Sequence, residues 1–231
     1  MAEEIDDPLL LWAAEQPGAR FWIRPGAMVV ACADLCRRDR LAIHGESAAV
    51  AALLRDEVLP DVGPTYRPFG GEDLVVDVVA RLPELVVAGR FAWMDVTVPV
   101  DRKIAGRWLF DDELPDVAAL LDDHFPESYA RPGGNGVSRW AGLQGDDGRL
   151  LAVVADAWTT PAVGFLAGVT TRPDVRGRGL AQAVCAYVTN ELICGRTRVA
   201  LLADYGNAAA VTAFRKLGFD LRPLAAARAV S

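Results

Sequence analysis

Thr170–Asn190 reads TTRPDVRGRGLAQAVCAYVTN, and its reading decides the rest. The preceding run Gly164–Thr171 (GFLAGVTT) is apolar and β-capable. Pro173-Asp174 interrupts it, and Arg176-Gly177-Arg178-Gly179 then opens a helix. Leu180, Val184, Tyr187, Val188 and Leu192 recur at the spacing of a buried helical face. Two glycines at a strand-to-helix turn let a ligand approach the backbone closely. The N–H groups of a first helical turn have no partner inside the helix, and the macrodipole makes that end weakly positive. A phosphate is the natural occupant. Arg176 and Arg178 add guanidinium groups that match phosphate oxygens.

The P-loop pattern GxxxxGK[ST] is absent. So is GxGxxG, because Gln182 stands where the third glycine would fall. What remains is Arg176-x-x-Gly179-x-Ala181, behind an apolar strand and Pro173. This resembles the acetyl-CoA signature [QR]-x-x-G-x-[GA] of the GNAT superfamily of N-acetyltransferases. A second block follows in the right order. Val199–Ala203 (VALLA) is a buried-strand candidate, and Asn207–Phe219 (NAAAVTAFRKLGF) resembles the family's N-x-x-A-x-x-x-[YF]-x-x-x-G-[FY]. Gly218 after Lys216-Leu217 reads as a helix stop on its own chemistry.

The 231 residues suggest one large or two small domains, and 52% hydrophobic content is enough for a sizeable core. The net charge of −7 and pI of about 4.9 argue against a nucleic-acid or anionic-membrane partner. Residues 1–105 hold 11 Lys/Arg against 17 Asp/Glu, a balance of −6. Residues 106–231 hold 13 against 14, a balance of −1, which suits an anionic coenzyme in the second part. The start MAEEIDDP has no signal-peptide pattern. No apolar run approaches the roughly 18 residues of a membrane span. Cys32, Cys36, Cys185 and Cys194 form no CxxC pair, and only His44 and His124 could complete a metal site. Reduced thiols in the cytoplasm and no metal are therefore expected. Arginine dominates over lysine (only Lys103 and Lys216), which with the Ala/Val/Gly richness fits a GC-rich bacterial genome.

Along the first half, Pro8–Glu15 reads as a short helix, and Phe21–Cys32 and Arg40–His44 as strands. Glu46–Leu59 reads as a helix stopped by Pro60, Pro64–Gly71 as a loop, Glu72–Leu85 as a helix and Arg90–Val98 as a strand. This half is α/β, lacks both signature blocks, and reads as a degenerate copy of the same fold or an unrelated cap, the former preferred. The breaker-rich Pro99–Gly106 marks a boundary, giving an N-terminal α/β domain over 1–105 and a coenzyme-binding domain over 106–231. In the second half, Asp116–Phe125 is a helix candidate and Glu127–Gly136 a loop. Val137–Gln144 and Leu150–Trp158 are strands joined by the hairpin signal Asp146-Asp147-Gly148. Helix, loop, three strands, glycine-turn helix, strand, Asn helix and strand is the GNAT order. The fold class expected is thus α/β (α+β), a mixed, mostly antiparallel sheet flanked by helices.

The resemblance implies acyl transfer from acetyl-CoA to an amine of a small molecule or peptide by direct attack. It places the coenzyme on the backbone of Val169, Thr170 and Thr171 and on the turn Arg176, Gly177, Arg178, Gly179, Leu180 and Ala181. Asn207 lies by the pantetheine, and Phe214 stands where many members carry a tyrosine that protonates the departing thiolate. Phenylalanine cannot do this. Tyr205 is a candidate acid, and Asp156 and Asp204 are candidate bases at strand ends; water-mediated deprotonation is the alternative. Tyr129, Arg131 and Trp140 are the residues chosen for the acceptor pocket. A homodimer is compatible with this reading. A second function competes: a GNAT-like coenzyme-binding module without turnover, used for sensing or docking, which the missing tyrosine favours.

Overall fold

A proline and a glycine in mid-strand decide how the chain begins to fold. Phe21–Cys32, expected as one strand, is two: β1 (Arg20–Arg24) and β2 (Ala27–Cys32), paired antiparallel from Arg24↔Ala27 outward. Proline cannot donate to a ladder, and Gly26 supplies the left-handed φ of +77° that the two-residue turn needs. The computed structural model describes residues 5–230. The start of the acidic N-terminal stretch, residues 1–4, lies outside them. The chain divides into two units. The first comprises residues 1–93, 202–208 and 221–231, and the second 94–201 and 209–220. The division thus falls after Trp93 rather than near Pro99–Gly106.

The first unit opens with α1 (Pro8–Ala14), whose N-cap Asp7 accepts hydrogen bonds from the Leu9 and Leu10 N–H groups. β3 (Arg40–Gly45) pairs antiparallel with β2 and parallel with β4 (Arg67–Gly71). Between β3 and β4 runs a helix in three pieces: α2 (Ser47–Leu53), a π-helical turn Leu54–Val58, and α3 (Leu59–Val62). Pro60 therefore does not stop the helix. It sits in the first turn of α3, where its missing N–H costs little, after a widened turn that makes room for its ring. Gly63, at φ +83°, ends the helix.

Arg67–Gly71, expected as loop, is a strand because Gly70 lets β4 approach β3; a Cβ there would lie 2.8 Å from the Ile43 carbonyl oxygen. α4 (Glu72–Val79) is shorter than expected: a turn over 80–84 follows it, and Leu85 already opens β5 (Leu85–Val96). The strand order is β1-β2-β3-β4-β11-β5, with the last strand, β11 (Asp220–Ala229), antiparallel to β4. Val29, Leu41, Leu53, Leu54, Val58, Val75 and Val78 fill the core beneath, and Trp12 packs on Trp93 with ring centroids 5.6 Å apart.

The second unit contains β6 (Arg107–Trp108), α5 (Leu114–His124), β7 (Val137–Gln144), β8 (Leu150–Ala157), β9 (Val163–Thr171), α6 (Leu180–Ile193), β10 (Arg198–Asp204) and α7 (Ala208–Lys216). Its strands run β10-β9-β8-β7-β6, all antiparallel except β9 with β10. α6 is buried on most sides, through Ala183, Val184, Cys185, Ala186, Val188, Thr189, Leu192 and Ile193. The stretch Pro99–Gly106, expected to mark the domain boundary, is tied to this unit. Asn190 donates to the Val100 carbonyl and accepts from its N–H, and the Arg102 Nε donates to the Lys216 carbonyl. The mixed, mostly antiparallel sheet with flanking helices is the fold class expected.

Asp7 does more than cap α1. Its carboxylate takes two hydrogen bonds from Arg222 on β11, at 2.6 and 3.2 Å, with His44 Nδ1 3.5 Å away. Burial pushes its pKa up, but Arg222, the Leu10 N–H and His44 outweigh this and hold it below the ordinary value. Asp7→Ala should cost about 1–2 kcal/mol in urea unfolding at neutral pH. A group whose folded pKa is depressed stabilises above its unfolded pKa and loses that effect as pH falls through the folded one. The charge-dependent part of the deficit should therefore fade below pH 3.8, read from unfolding midpoints of both proteins across an acid series.

Candidate functional site

Between Val153↔Thr170 and Ala155↔Ala167 the β8–β9 register slips, so Val154 faces two residues, Gly168 and Val169. This is a β-bulge, and its first residue, Gly168, has φ +62°. The sequence reading missed it. The available signal was a lone glycine inside an otherwise β-capable run. The bulge is packed from behind: a Cβ on Gly168 would lie 2.6 Å from the Trp140 ring edge and 3.3 Å from Ala130. The Thr170 hydroxyl donates to the Gly168 carbonyl at 3.2 Å.

On the other side of β9 the parallel register with β10 covers only Val163↔Arg198, Gly164↔Val199 and Phe165↔Ala200. β9 continues to Thr171, so Leu166–Thr171 run on past the last β10 pair. Val169, Thr170 and Thr171, expected to present backbone to the coenzyme, all lie in this stretch. Thr170 is buried, and Val169 and Thr171 are half-buried.

The strand leads into a braced turn. Arg172 makes a two-pronged ion pair with Asp174, at 2.7 and 2.9 Å, across the 3₁₀ turn Pro173–Val175. The Arg176 Nε donates to the Thr171 carbonyl at 3.1 Å, so part of that guanidinium holds the turn to the strand. Gly177 and Gly179 are left-handed, at φ +78° and +76°. An added Cβ on Gly177 would meet nothing within 4 Å, and one on Gly179 only the Gln182 Oε1 at 3.8 Å. Gly179 is the N-cap of α6 and no side chain caps it, so the first-turn N–H groups at Leu180 and Ala181 have no side-chain acceptor. Arg176, Gly177, Arg178 and Gly179 are exposed. Gln182, not singled out from the sequence, donates to the Ala213 carbonyl at 3.0 Å and ties the first turn of α6 to α7.

The other expected residues fall as follows. Phe214 is buried, with its ring 5.3 Å from that of Phe219 in an edge contact. Trp140 is 1% exposed and is a packing residue beneath the bulge rather than a pocket wall. Tyr129 is exposed next to Ala130. Arg131 donates to the Asp122 carboxylate, which holds the loop to α5, and to the Pro126 carbonyl just beyond that helix.

Asp156, at the end of β8 as expected, is buried. It is 5% exposed; its two oxygens accept from Arg139 at 3.2 Å and the Thr159 hydroxyl at 2.5 Å, and Thr159 in turn accepts from the Phe165 N–H. Arg139 also stacks on Trp108, 3.6 Å from its centroid. Asp204, Tyr205 and Asn207 belong to the segment counted with the first unit. Asp204 accepts from the Gly206 N–H and, through its carbonyl, from the Asn207 N–H, an Asx turn that starts α7. Tyr205 is 38% exposed, its phenol pKa raised by burial and by the charge of Glu72. Among the described residues no cluster of three or more His, Cys, Asp or Glu could hold a metal, and no helix is long and apolar enough to cross a membrane.

Gly168→Ala should cost about 1–3 kcal/mol in denaturant unfolding, from left-handed strain and the approach of the new methyl to Trp140. In a Trp140→Leu background the added cost should shrink to the backbone part alone, giving a coupling that a double-mutant cycle reads directly. Equal costs in both backgrounds would mean that the ring does not back the bulge.

Residues 144–228 match the family model FR47-like protein. No curated protein matches the chain. Among solved structures, it is similar to a GCN5-related N-acetyltransferase from Kribbella flavida, with TM-score 0.64 and 16% identity over 96% of this chain and 93% of that one. It is also similar to an acetyltransferase of the GNAT family from Colwellia psychrerythraea (TM-score 0.61, 15% identity, 100% and 93% covered). A GCN5-related N-acetyltransferase from Sphaerobacter thermophilus gives TM-score 0.58 and 14% identity over 88% and 80%. The chain has the fold of the GNAT acetyltransferases, and residues 144–228 are similar to the FR47-like family.

Proposed function

We propose that this protein is an acetyl-CoA-dependent N-acetyltransferase, acting on an amine of a small molecule or peptide. One observation carries the reading: β9 outruns its β10 partner by six residues and leads into a helix whose N-terminus no side chain caps. A long, thin, anionic ligand fits such a path, with backbone groups for its amide arm and helix N–H groups for its phosphates. The turn fits that ligand because both glycines leave open space where a side chain would stand. Gly177–Ala181 hold the pyrophosphate, and Arg178 adds positive charge.

When bound, acetyl-CoA supplies an acyl group activated as a thioester. Backbone N–H groups of β9 beyond Phe165 stabilise negative charge as it develops on the acyl oxygen, held in place by the bulge rather than reorganising during reaction. Loop 127–136, through Tyr129, and the region around Gly168 shape the acceptor side. Asp156, with both oxygens already engaged, orients Arg139 and the strand ends; the acceptor's proton leaves through water. Phe214 has no proton to give, and a thiol with an ordinary pKa of about 8.5 leaves without one. The four free cysteines suit a reducing cytoplasm. The same Phe214, packed on Phe219, favours the second reading, a coenzyme-binding module without turnover.

Coenzyme release against an amine panel tests the activity. The rate should rise with pH as the amine loses its proton, with no falling limb near pH 10. Tyr205→Phe should leave it nearly unchanged; a drop of about 10²-fold or more would give Tyr205 the acid role. Calorimetric binding without any turnover on the panel would favour the module.

A further inference from the structure

We infer that the first unit repeats the plan of the second with its coenzyme site sealed, so that the chain holds a single coenzyme, in the second unit. This rests on the acetyl-CoA reading above. In chain order β1, β2 and β3 form an antiparallel meander, a helix follows, and β4 pairs parallel with β3. β7, β8, β9, α6 and β10 repeat each step. The two parallel pairings match in detail. Each covers three residue pairs and starts at the first residue of the earlier strand, Arg40 in one and Val163 in the other.

The repeats part where a coenzyme would lie. β2 and β3 keep register from Cys32↔Arg40 to Ala27↔Gly45 without a slip, so β3 has no bulge corresponding to that at Gly168. β3 runs three residues past its last β4 pair, where β9 runs six. At that point Gly70 closes on Ile43, with 2.8 Å from a Cβ position to the carbonyl oxygen. The strand-to-helix connection shrinks from Arg172–Gly179 to the single residue Glu46. Gly45 is left-handed like Gly179, but the space beside it is filled: a Cβ would lie 2.1 Å from the Gly26 carbonyl oxygen. That carbonyl also accepts from the Glu46 N–H at 2.8 Å, taking a donor that would face a phosphate. A carboxylate, Glu46, stands where the second unit has its arginines.

Titration calorimetry of the full-length chain with acetyl-CoA should give one equivalent bound. Gly179→Asp should abolish binding while far-UV circular dichroism stays near the parent's and the unfolding midpoint drops only by the strain of one left-handed residue. Arg178→Glu, which leaves the glycine turn intact, should weaken it at least tenfold, and Glu46→Ala should leave stoichiometry and affinity unchanged. Two equivalents, or one surviving in folded Gly179→Asp, would overturn the sealing. No binding to the parent chain would instead remove the acetyl-CoA reading, and the second-unit site with it.

Discussion

The extra residue that β9 carries opposite Val154 sets the geometry of the second unit. A bulge bends the strand that contains it and increases the local twist. β9 can therefore keep its ladder with β8 while its pairing with β10 ends at Phe165. The bulge exists only because position 168 tolerates a left-handed backbone, and it persists because Trp140 and Ala130 fill the space beneath. Strain of this kind survives where surrounding packing over-determines it. The placement of polar backbone along a potential ligand path is thus traceable to one glycine and one buried indole.

The turn that follows uses charge twice. Arg172 is spent on Asp174, and one nitrogen of Arg176 on the Thr171 carbonyl. Both contacts are exposed, and exposed ion pairs contribute little to global stability. Their effect is local: they fix where the strand ends and where the helix begins, so that two glycines without side-chain restraint still occupy a defined path.

Much of this was legible in the sequence. The Arg176-x-x-Gly179-x-Ala181 turn and the Asn207–Phe219 block placed β9, α6, β10 and α7 within a residue or two, because glycine turns and helix stops are local chemistry. Packing was not legible. Trp140 is as plausible on a pocket wall as under a bulge until the residue opposite it is known. Asp156 does lie at the end of β8, but nothing in the sequence announces its burial or its partners Arg139 and Thr159, 17 and 3 residues away in the chain. The boundary at Pro99–Gly106 was read from breaker residues, but Asn190, 90 residues on, holds Val100 by both backbone groups. Pro60 and the strand Arg67–Gly71 failed for a related reason: propensity rules treat Pro and Gly as punctuation, whereas a π turn and a close strand approach put them to use.

The first unit counts the chain's final strand as its own. β4 takes β11 as a neighbour through Gly71↔Leu224, and Asp7 at the head of α1 is held by Arg222, 215 positions later. A chain emerging from the ribosome therefore makes α1 to β4 first but cannot complete their sheet until β11 has emerged as well. Until then β4 has an open edge, the kind of surface that pairs with the wrong partner. Closing such a distant contact is slow relative to the local helices and hairpins. The unit begun first is thus completed late, and β11 acts as the fastening that closes it.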